Sequence, residues 1–273
     1  MKDVSMKELK NKATEMRMKV VDMIYKAQSG HPGGSLSAAD FMTACYFKYM
    51  NVDPKNPQWE DRDRMVLSKG HVCPIQYACL GTLGFFPEEE LDTLRQEGSK
   101  LQGHPSMNKC PGIDISTGSL GQGLSVAAGI AFAKKIEQKE NTIFCIIGDG
   151  ESQEGQNWEA VMFAAQQKLG NLILFVDDNK QQLDNMTSKI CNMDSFAEKF
   201  RSFHWDVQEV DGHNINELNT AITTARNNDE RPHVIVMNTI KGKGCSFAEN
   251  ILKNHHINVS AEQAEDAVNK LKR

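Results

Sequence analysis

The order of apolar and polar positions along the chain predicts helices and strands in alternation. Apolar residues recur at helical spacing over 5–28, which predicts a long helix that Gly30 ends. Continuous apolar runs predict buried strands, which are expected over 64–71, 141–150, 171–179, 204–213 and 231–239. Further helices are expected over 35–50, where serine or threonine caps open the segment, and over 157–170, about 214–227 and 261–273.

Strands that alternate with helices predict right-handed βαβ units. The expected fold class is therefore a three-layer α/β/α arrangement with a mainly parallel central sheet. The strands at 141–150 and 171–179 lack a polar face, as expected where helices cover both faces of a sheet. No internal repeat, low-complexity segment or linker-like change of composition interrupts the chain, so residues 1–273 are expected to form one domain.

Composition and charge narrow the classes of partner. The net charge of -5 offers no basic field that would collect nucleic acid or an anionic membrane surface. No apolar stretch approaches the roughly 20 residues that span a bilayer, and the N-terminus lacks a signal-peptide core, so a cytoplasmic protein is expected. The 7 cysteines include no CxxC pair, which favours reduced, buried thiols over disulfides or a zinc site.

Two polar tips follow predicted strands that one helix connects. Gly148-Asp149-Gly150 ends the first strand, and Asp177-Asp178-Asn179 ends the second. Each tip alone is typical of an ordinary turn, but neighbouring parallel strands would bring Asp149 and Asn179 to one edge of the sheet. Carboxylate and amide oxygens suit Mg²⁺, and Gly150 would let a diphosphate approach the backbone closely.

Those two tips and several other segments resemble a known family. "GDGESQEGQNWEA" followed by "LILFVDDNKQQLD" resembles the thiamine-diphosphate motif. The segments "SGHPGGSLSAADFM", "DRMVLSKGHVCPIQYA", "GHPS", "STGSLGQGLSVAAGIA" and "KGKGCSFAEN" resemble transketolase and occur in the same order. The likeness covers nearly the whole chain. It implies the thiamine-diphosphate-binding fold, specifically its diphosphate domain, with thiamine diphosphate and Mg²⁺ (or Ca²⁺) as cofactors.

The resemblance also implies roles for individual residues. Metal ligands would be Asp149, Asn179 and the backbone carbonyl of Gln181. Contacts to the cofactor would come from His71, Gly118, Leu120, Gly150, Asn179, Leu183 and His255. His31, His104 and His255 would be the catalytic histidines that bind sugar hydroxyls and move protons, tasks that suit imidazole near neutral pH. Glu154 and Glu159 would lie at a subunit contact, whereas His204, His213 and His233 are expected to be structural or surface residues.

The "KGKG" segment at 241–244 is about as compatible with a solvated turn as with phosphate binding. The chain departs from the family pattern at two places, Ser119 and the segment around His255. Ser119 stands where transketolases usually have proline, and Asn254 and His256 flank His255 where the family usually has an aromatic residue and a glycine. Near the C-terminal end, "NHHI" at 254–257 offers two adjacent histidines, which leaves open whether His255 or His256 contacts the diphosphate.

A full-length transketolase carries a pyrimidine-binding domain and a C-terminal domain beyond the part that this chain resembles. The favoured interpretation is the N-terminal subunit of a split transketolase that acts on sugar phosphates, completed by a C-terminal subunit in an α₂β₂ assembly. Alternatives are a subunit of a ketose transferase for branched, sulfonated or unusual sugars, a non-catalytic cofactor-binding or regulatory subunit, and an unrelated α/β domain. A 1-deoxyxylulose-phosphate synthase is disfavoured because "SGHPGG" and "GHPS" follow the transketolase pattern.

Overall fold

A parallel sheet forms the middle layer of the molecule. The computed structural model describes residues 2–183 and 185–272. The strands of the sheet are β1 (Arg64–Leu67), β2 (Ile143–Gly148), β3 (Leu172–Asp178), β6 (Asp206–Asp211) and β7 (His233–Asn238), and a small antiparallel pair, β4 (Gln181–Gln182) and β5 (Asn185–Met186), follows β3. The five strands of the sheet lie in the order β1-β2-β3-β7-β6. The parallel sheet predicted from the alternation is confirmed.

Helices cover both faces of the sheet. They are α1 (Met6–Ala27), α2 (Pro32–Ser37), α3 (Ala39–Ala44), α4 (Cys73–Leu83), α5 (Gly123–Ile136), α6 (Gly155–Gln166), α7 (Thr187–Ile190), α8 (Phe196–Ser202), α9 (Ile215–Arg226) and α10 (Ala261–Leu271). Short 3₁₀ turns lie at Gly70–Val72, Glu88–Thr93 and Glu151–Gln153. Among the described residues, no helix combines the length and the apolar character needed to cross a bilayer.

The two faces of the sheet bury different residues. On β2 and β3, Phe144, Ile146 and Phe175 pack into a core with α1, α3, α4 and α9. Their neighbours Cys145 and Leu174 point the other way, into a core with α5, α6 and α8. Because successive side chains of a strand point to opposite faces, a strand buried on both sides reads as one continuous apolar run. This is the three-layer α/β/α arrangement that the sequence predicts.

The first helix begins and ends at residues that its sequence explains. The Ser5 hydroxyl accepts a hydrogen bond from the Glu8 N–H, and the Glu8 carboxylate accepts one from the Ser5 N–H. Such a reciprocal cap satisfies two donors that a helix otherwise leaves unpaired. The helix ends at Ala27, where Gln28 adopts a left-handed backbone with φ 48°, one residue before the end predicted at 28.

The helix predicted over 35–50 is wrong in its bounds and continuity. The chain turns helical already at Pro32, because proline suits the first helical position, and no serine or threonine side chain caps that start. α2 ends at Ser37, α3 follows, and a π-helix over Cys45–Tyr49 completes the segment. The strand predicted over 64–71 likewise stops at Leu67, after which the 3₁₀ turn at Gly70–Val72 leads into α4.

Candidate functional site

The two polar tips meet at one edge of the sheet. β2 and β3 are paired so that Gly148 lies opposite Asp177, and the Asp149 N–H donates to the Asp177 carbonyl at 3.3 Å. A cavity of about 170 Å³ opens at this edge. Its lining residues are Gly34, Lys69, His71, Leu120, Gly148, Asp149, Gly150, Glu151, Glu154, Asn179, Gln181, Gln182, Leu183, Lys241 and His255.

Asp149 carries a buried carboxyl group that the protein leaves only partly satisfied. Its Oδ1 accepts a hydrogen bond of 2.8 Å from the Gly150 N–H, whereas its buried Oδ2 accepts none from the described residues. Burial raises the pKa of Asp149 to about 7, and the nearby charge of Asp177 contributes to the rise. A buried anion without a counter-charge is costly, so this carboxylate suits a bound cation.

The carboxylate of Asp177 is also buried, but its charge is balanced by groups of the protein itself. It forms a buried ion pair with Lys69 and accepts hydrogen bonds from the hydroxyls of Ser37, at 2.6 Å, and Thr239. Burial alone would raise the pKa of Asp177, but Lys69 and these donors hold it below its usual value. Asp177 is therefore neutralised within the protein, and Asp149 is the carboxylate left for a ligand.

The predicted metal ligands line this cavity together. Asn179 lies at the end of β3, where its amide nitrogen donates to Asp177 at 3.3 Å and its amide oxygen accepts from the Gln181 N–H at 3.1 Å. One carboxylate, one amide oxygen and one backbone carbonyl form an all-oxygen set that suits Mg²⁺, which keeps several further positions for water and phosphate oxygens. No group of three His, Cys, Asp or Glu side chains in residues 2–183 and 185–272 is placed to hold a metal. Mg²⁺ held by Asp149 would need no such group.

Basic side chains surround the rest of the cavity. Lys69 and Lys241 are 2% and 3% exposed, and the Lys241 ammonium donates to the Leu183 carbonyl at 3.2 Å. A Cβ on Gly34 would lie 3.8 Å from both the Lys69 ammonium and the His71 ring. The same Cβ would lie 2.7 Å from Val72 Cγ1, so packing against Val72 requires the glycine. The donors of Lys69, Lys241 and His71 are what suit this cavity to a diphosphate group as well as a cation.

Glu151 connects the segment over 117–122, which we call the glycine-rich loop, to the end of β2. Its carboxylate accepts hydrogen bonds from the Ser68 hydroxyl and from the N–H groups of Gly121, at 2.9 Å, and Gly148, at 3.0 Å. Burial raises the pKa of Glu151, although these three donors oppose the rise. One buried side chain thus fixes the position of Leu120 relative to Asp149.

Five histidines lie together beside the cavity. The His31 ring is 5.2 Å from His71, 6.3 Å from His104, 5.1 Å from His255 and 4.8 Å from His256, measured between ring centroids. His71 and His255 are themselves 4.9 Å apart. We call these five residues the histidine cluster. They come from four loops that are far apart in the sequence.

Four rings of the cluster are held neutral. Burial lowers the pKa of His31 to about 3, and the charges of His255, His256, Arg95 and His104 add to the effect. Burial likewise lowers the pKa of His255 to about 4, together with Lys241 and Lys69. The pKa values of His71 and His104 are also lowered, mainly by burial. Neutral imidazoles can both donate and accept, which is what binding sugar hydroxyls requires.

Most of the residues predicted for the site lie at the cavity or in the cluster, but Gly118 does not line the cavity. A Cβ on Gly118 would lie 2.7 Å from the His104 ring, so this glycine packs against the cluster with φ 136°. Of the two adjacent histidines, His255 lines the cavity, whereas the exposed His256 contacts the Ser29 hydroxyl at 3.2 Å. The exposed Glu154 also lines the cavity.

The remaining predicted positions lie elsewhere. His213 contacts Asp40 at 2.9 Å and accepts from the Ile240 N–H at 2.9 Å, and His233 contacts the Asn228 carbonyl. His204 has φ 64° and lies away from the cavity. Glu159 lies on α6 and does not line the cavity either.

Lys69, Lys241, Glu151 and Gln182 line the cavity but do not stand out in the sequence. Lys69 and His71 flank Gly70, a pattern that gives no sign of a buried lysine. Lys241 belongs to the "KGKG" segment, where a solvated turn is an equal expectation, and it is instead buried. A buried lysine requires a nearby anion. The two acidic tips are therefore the sequence signal that could have identified Lys69 and Lys241 as buried residues of the site.

Comparison with known proteins identifies the family of this chain. The family described as "Transketolase, thiamine diphosphate binding domain" matches residues 9–273. The chain is 46% identical over 266 residues to the 6-deoxy-6-sulfo-D-fructose transketolase subunit SqwG of Clostridium sp. (strain MSTE9), covering 97% of each chain. It is 40% identical over 252 residues to an apulose-4-phosphate transketolase subunit of Phocaeicola vulgatus, covering 92% of this chain and 89% of that one.

A solved structure shares the whole fold. The transketolase from Campylobacter jejuni superposes with a TM-score of 0.92 at 31% identity, over 99% of this chain and 43% of that one. The chain therefore spans less than half the length of that single-chain enzyme. The resemblance found in the motifs is confirmed, and the chain belongs to the transketolase family as its thiamine-diphosphate-binding domain.

Proposed function

We propose that this chain, as a single domain over residues 1–273, is the N-terminal subunit of a two-chain transketolase. It binds thiamine diphosphate through a divalent cation and acts with a separate subunit that carries the pyrimidine-binding and C-terminal domains. The observation that carries the proposal is the unpaired, buried Asp149 Oδ2 in a cavity that also presents Lys69, Lys241 and His71. We place the protein in the cytoplasm, in an α₂β₂ assembly whose subunit contact includes Glu154 and Glu159.

The metal and the cofactor would be held by different parts of the cavity. Asp149, Asn179 and the Gln181 carbonyl would bind Mg²⁺ or Ca²⁺. Lys69, Lys241, His71 and His255 would stabilise the diphosphate by hydrogen bonds, those of the lysines being charge-assisted, with Gly150 giving close access to the backbone. Gly118, Leu120 and Leu183 would pack around the rest of the cofactor; Leu120 and Leu183 are 40% and 57% exposed, and cofactor binding would cover them.

When bound, thiamine diphosphate supplies an electron sink for the carbanion that forms when a ketose is cleaved next to its carbonyl. The chain's own contribution is to position the sugar and move its protons. His31, His104 and His255 are neutral at pH 7, so each can accept a proton from one sugar hydroxyl and donate a hydrogen bond to another oxygen. The half-buried setting of His31 and His255 also limits the access of water.

The substrates of the relatives favour a specialised sugar. The names of two relatives specify 6-deoxy-6-sulfo-D-fructose and apulose-4-phosphate, which are a sulfonated ketose and a ketose phosphate. We propose a transfer of two-carbon ketol units from a ketose of this anionic kind to an aldose acceptor. The sugar phosphates of an ordinary transketolase are the second candidate.

Reconstitution tests the two-chain proposal. The purified chain alone is expected to show no ketol transfer, and addition of the pyrimidine-domain subunit should restore it. Donors to compare are a ketose phosphate and a 6-sulfonated ketose, with release of the shortened aldose as the measurement. Robust turnover by this chain alone would contradict the proposal.

Calorimetric titration separates a catalytic subunit from a non-catalytic one that only binds the cofactor. Thiamine diphosphate with Mg²⁺ should bind to the chain, more tightly in the presence of the partner, and the bound complex should be active. Binding without any transfer in the reconstituted complex would favour a regulatory subunit. Absence of binding under both conditions would exclude the cofactor role.

A further inference from the structure

His213 lies outside the histidine cluster and uses both nitrogens of its ring. Nδ1 lies 2.9 Å from the Asp40 carboxylate, and Nε2 accepts a hydrogen bond of 2.9 Å from the Ile240 N–H. Only 11% of the side chain is exposed, and it does not line the cavity. A buried ring that is hydrogen-bonded on both sides has a fixed orientation, so it can fix the position of the group that it binds.

The Asp40 carboxylate determines which nitrogen of His213 carries the proton. Asp40 is buried and pairs with Arg17, whose guanidinium donates to both carboxylate oxygens. Burial alone would raise the pKa of Asp40, but Arg17 and the hydrogen bond with His213 hold it below its usual value. An ionised carboxylate can only accept, so Nδ1 donates to it. Because Nε2 accepts from the Ile240 N–H, it carries no proton, and the ring is the neutral Nδ1–H tautomer.

The hydrogen bond from Ile240 holds the backbone directly before Lys241. β7 ends at Asn238, so the Ile240 N–H lies beyond the ladder of the sheet and donates to a side chain instead of a neighbouring strand. The next residue, Lys241, is buried, lines the cavity and donates to the Leu183 carbonyl at 3.2 Å. A shift of the Ile240 backbone would therefore move this lysine within the cavity.

The turn that carries His213 packs closely on the same segment. The Gly212 N–H donates to the Asn238 carbonyl at 2.9 Å. A Cβ on Gly212 would lie 2.5 Å from Thr239 Cγ2, so this close approach requires glycine. Contacts of the main chain thus leave the ring little freedom to move away from Ile240.

We propose that His213 is a positioning residue that, through the Ile240 N–H, holds Lys241 where its ammonium reaches the diphosphate of the cofactor. The inference rests on the proposed function, because it assigns a support to the cofactor site of that function. A charge-assisted hydrogen bond depends on the position of its donor, so a lysine that could shift would bind a diphosphate less tightly. Asp40 and Arg17 act through His213, since they fix the tautomer whose Nε2 can accept.

Two substitutions of His213 separate the acceptor from the rest of the ring. In His213→Gln the side-chain oxygen can take the place of Nε2 and accept from Ile240, whereas the shorter side chain in His213→Asn reaches only the position of Nδ1. The affinity of the full chain for thiamine diphosphate with Mg²⁺ is measured by isothermal titration calorimetry. His213→Asn should weaken binding about tenfold, and His213→Gln should bind within about twofold of the wild type.

A double-mutant cycle shows whether the effect passes through Lys241. Lys241→Met removes the ammonium and should itself weaken binding about tenfold or more. If His213 acts by placing that ammonium, adding His213→Asn to Lys241→Met should cause no further loss. Additive losses, or unchanged affinity in His213→Asn, would overturn the positioning role.

The matched control is His233→Asn. This variant removes another buried histidine, at the end of β7 away from the cavity, and should leave the affinity for the cofactor unchanged. A loss equal to that of His213→Asn would show that general destabilisation is the cause, and the positioning role would be wrong.

Hydrogen–deuterium exchange separates this inference from the proposed function, because it needs neither cofactor nor activity. The peptide that contains Ile240 and Lys241 should exchange faster in His213→Asn than in the wild type, and at the wild-type rate in His213→Gln. If the wild-type chain binds no thiamine diphosphate, the proposed function is wrong, whereas faster exchange in His213→Asn would still support the hold on Lys241. Unchanged exchange in that variant would contradict it.

If His213→Asn does not fold, the wild-type chain and His213→Gln decide the question. ¹⁵N NMR of the wild-type ring should show a proton on Nδ1 and none on Nε2, and this tautomer together with retained affinity in His213→Gln would support the proposal. A protonated Nε2 could not accept from Ile240 and would overturn it. A loss of about tenfold in the affinity of His213→Gln would overturn it as well.

Discussion

The two ends of the site are built in different ways. The sheet-edge end, made of Asp149, Asn179 and their neighbours, lies on two adjacent strands whose register fixes it through main-chain hydrogen bonds. The histidine cluster is assembled from segments that lie far apart in the sequence, from His31 to His256. The sheet-edge end brings several charged side chains together, whereas burial keeps four imidazoles of the histidine cluster uncharged. A rigid sheet edge suits ion binding, and a collection of loops suits a variable sugar.

The largest expected effect comes from removing the lysine that neutralises Asp177 at the sheet-edge end. Lys69→Met would leave Asp177 buried without its cation, so the free energy of unfolding should fall by about 3 kcal/mol. Urea unfolding followed by circular dichroism measures this loss. Lys100→Met, which removes an exposed ion pair with Glu90, is the control and should cost less than about 0.5 kcal/mol. Equal losses in the two variants would show that the Lys69–Asp177 pair does not hold this end together.

The next effect concerns the unneutralised carboxylate. Asp149→Asn keeps the size of the side chain and removes the charge offered to the metal, so thiamine diphosphate with Mg²⁺ should bind about 100-fold more weakly. Isothermal titration calorimetry gives the affinity. Asp178→Asn is the matched control, because Asp178 pairs with Lys180 and does not line the cavity. A comparable loss in Asp178→Asn would point to general electrostatics and not to a metal ligand.

A smaller effect is expected in the way the histidine cluster makes the free energy of unfolding depend on pH. The pKa of His31 in the folded protein, about 3, is below the ordinary value of 6.5, so the folded state disfavours its protonation. The stability that this provides is complete above pH 6.5 and is lost progressively as the pH falls toward 3. His31→Asn should therefore lose less stability than the wild type between about pH 7 and about pH 5, by on the order of 1 kcal/mol.

Urea unfolding at several pH values measures this difference. His204→Asn provides the control, because His204 lies outside the cluster and asparagine tolerates its left-handed backbone. The expected result is that His31→Asn loses less stability on acidification than the wild type or His204→Asn does. Identical pH profiles for all three proteins would show that the cluster is not a region of suppressed protonation.

The smallest effect lies between the two ends, in the glycine-rich loop. Ser119 is not among the residues with positive φ and stands where the family usually has proline. Ser119→Pro should change the free energy of unfolding by about 0.5 kcal/mol or less and leave cofactor affinity unchanged. Thermal unfolding and calorimetry check both statements. A loss above about 2 kcal/mol would mean that this loop has diverged from its relatives in backbone conformation.

The sheet-edge end could be predicted from the sequence because topology alone brings its parts together. Two apolar runs connected by one helix become neighbouring parallel strands, and their polar ends then share an edge. Lys69 and Lys241 escaped prediction because burial of a lysine depends on anions supplied by distant segments. The break after Ser37 also escaped, since helical spacing continues across it and only tertiary packing selects the interruption.

The histidine cluster could be predicted only through resemblance. Nothing in the spacing of His31, His71, His104 and His255 indicates that their rings lie about 5–6 Å apart. The adjacent pair at 255 and 256 shows the limit most clearly. Which ring faces the cavity depends on the path of the C-terminal segment, and the contact between His256 and Ser29 joins residues that are 227 positions apart.

The hydrogen bond from the Asp149 N–H to the Asp177 carbonyl also bears on how such enzymes could diversify. It joins main-chain atoms, so substitutions of the surrounding side chains need not move the Asp149 backbone. Mutations in the loops that carry the sugar-facing residues could then accumulate while the ion-binding end keeps its shape. Enzymes built in this way could change their sugar substrate repeatedly while they keep one inherited cofactor site. Relatives whose names specify different sugars are the result that such evolution would produce.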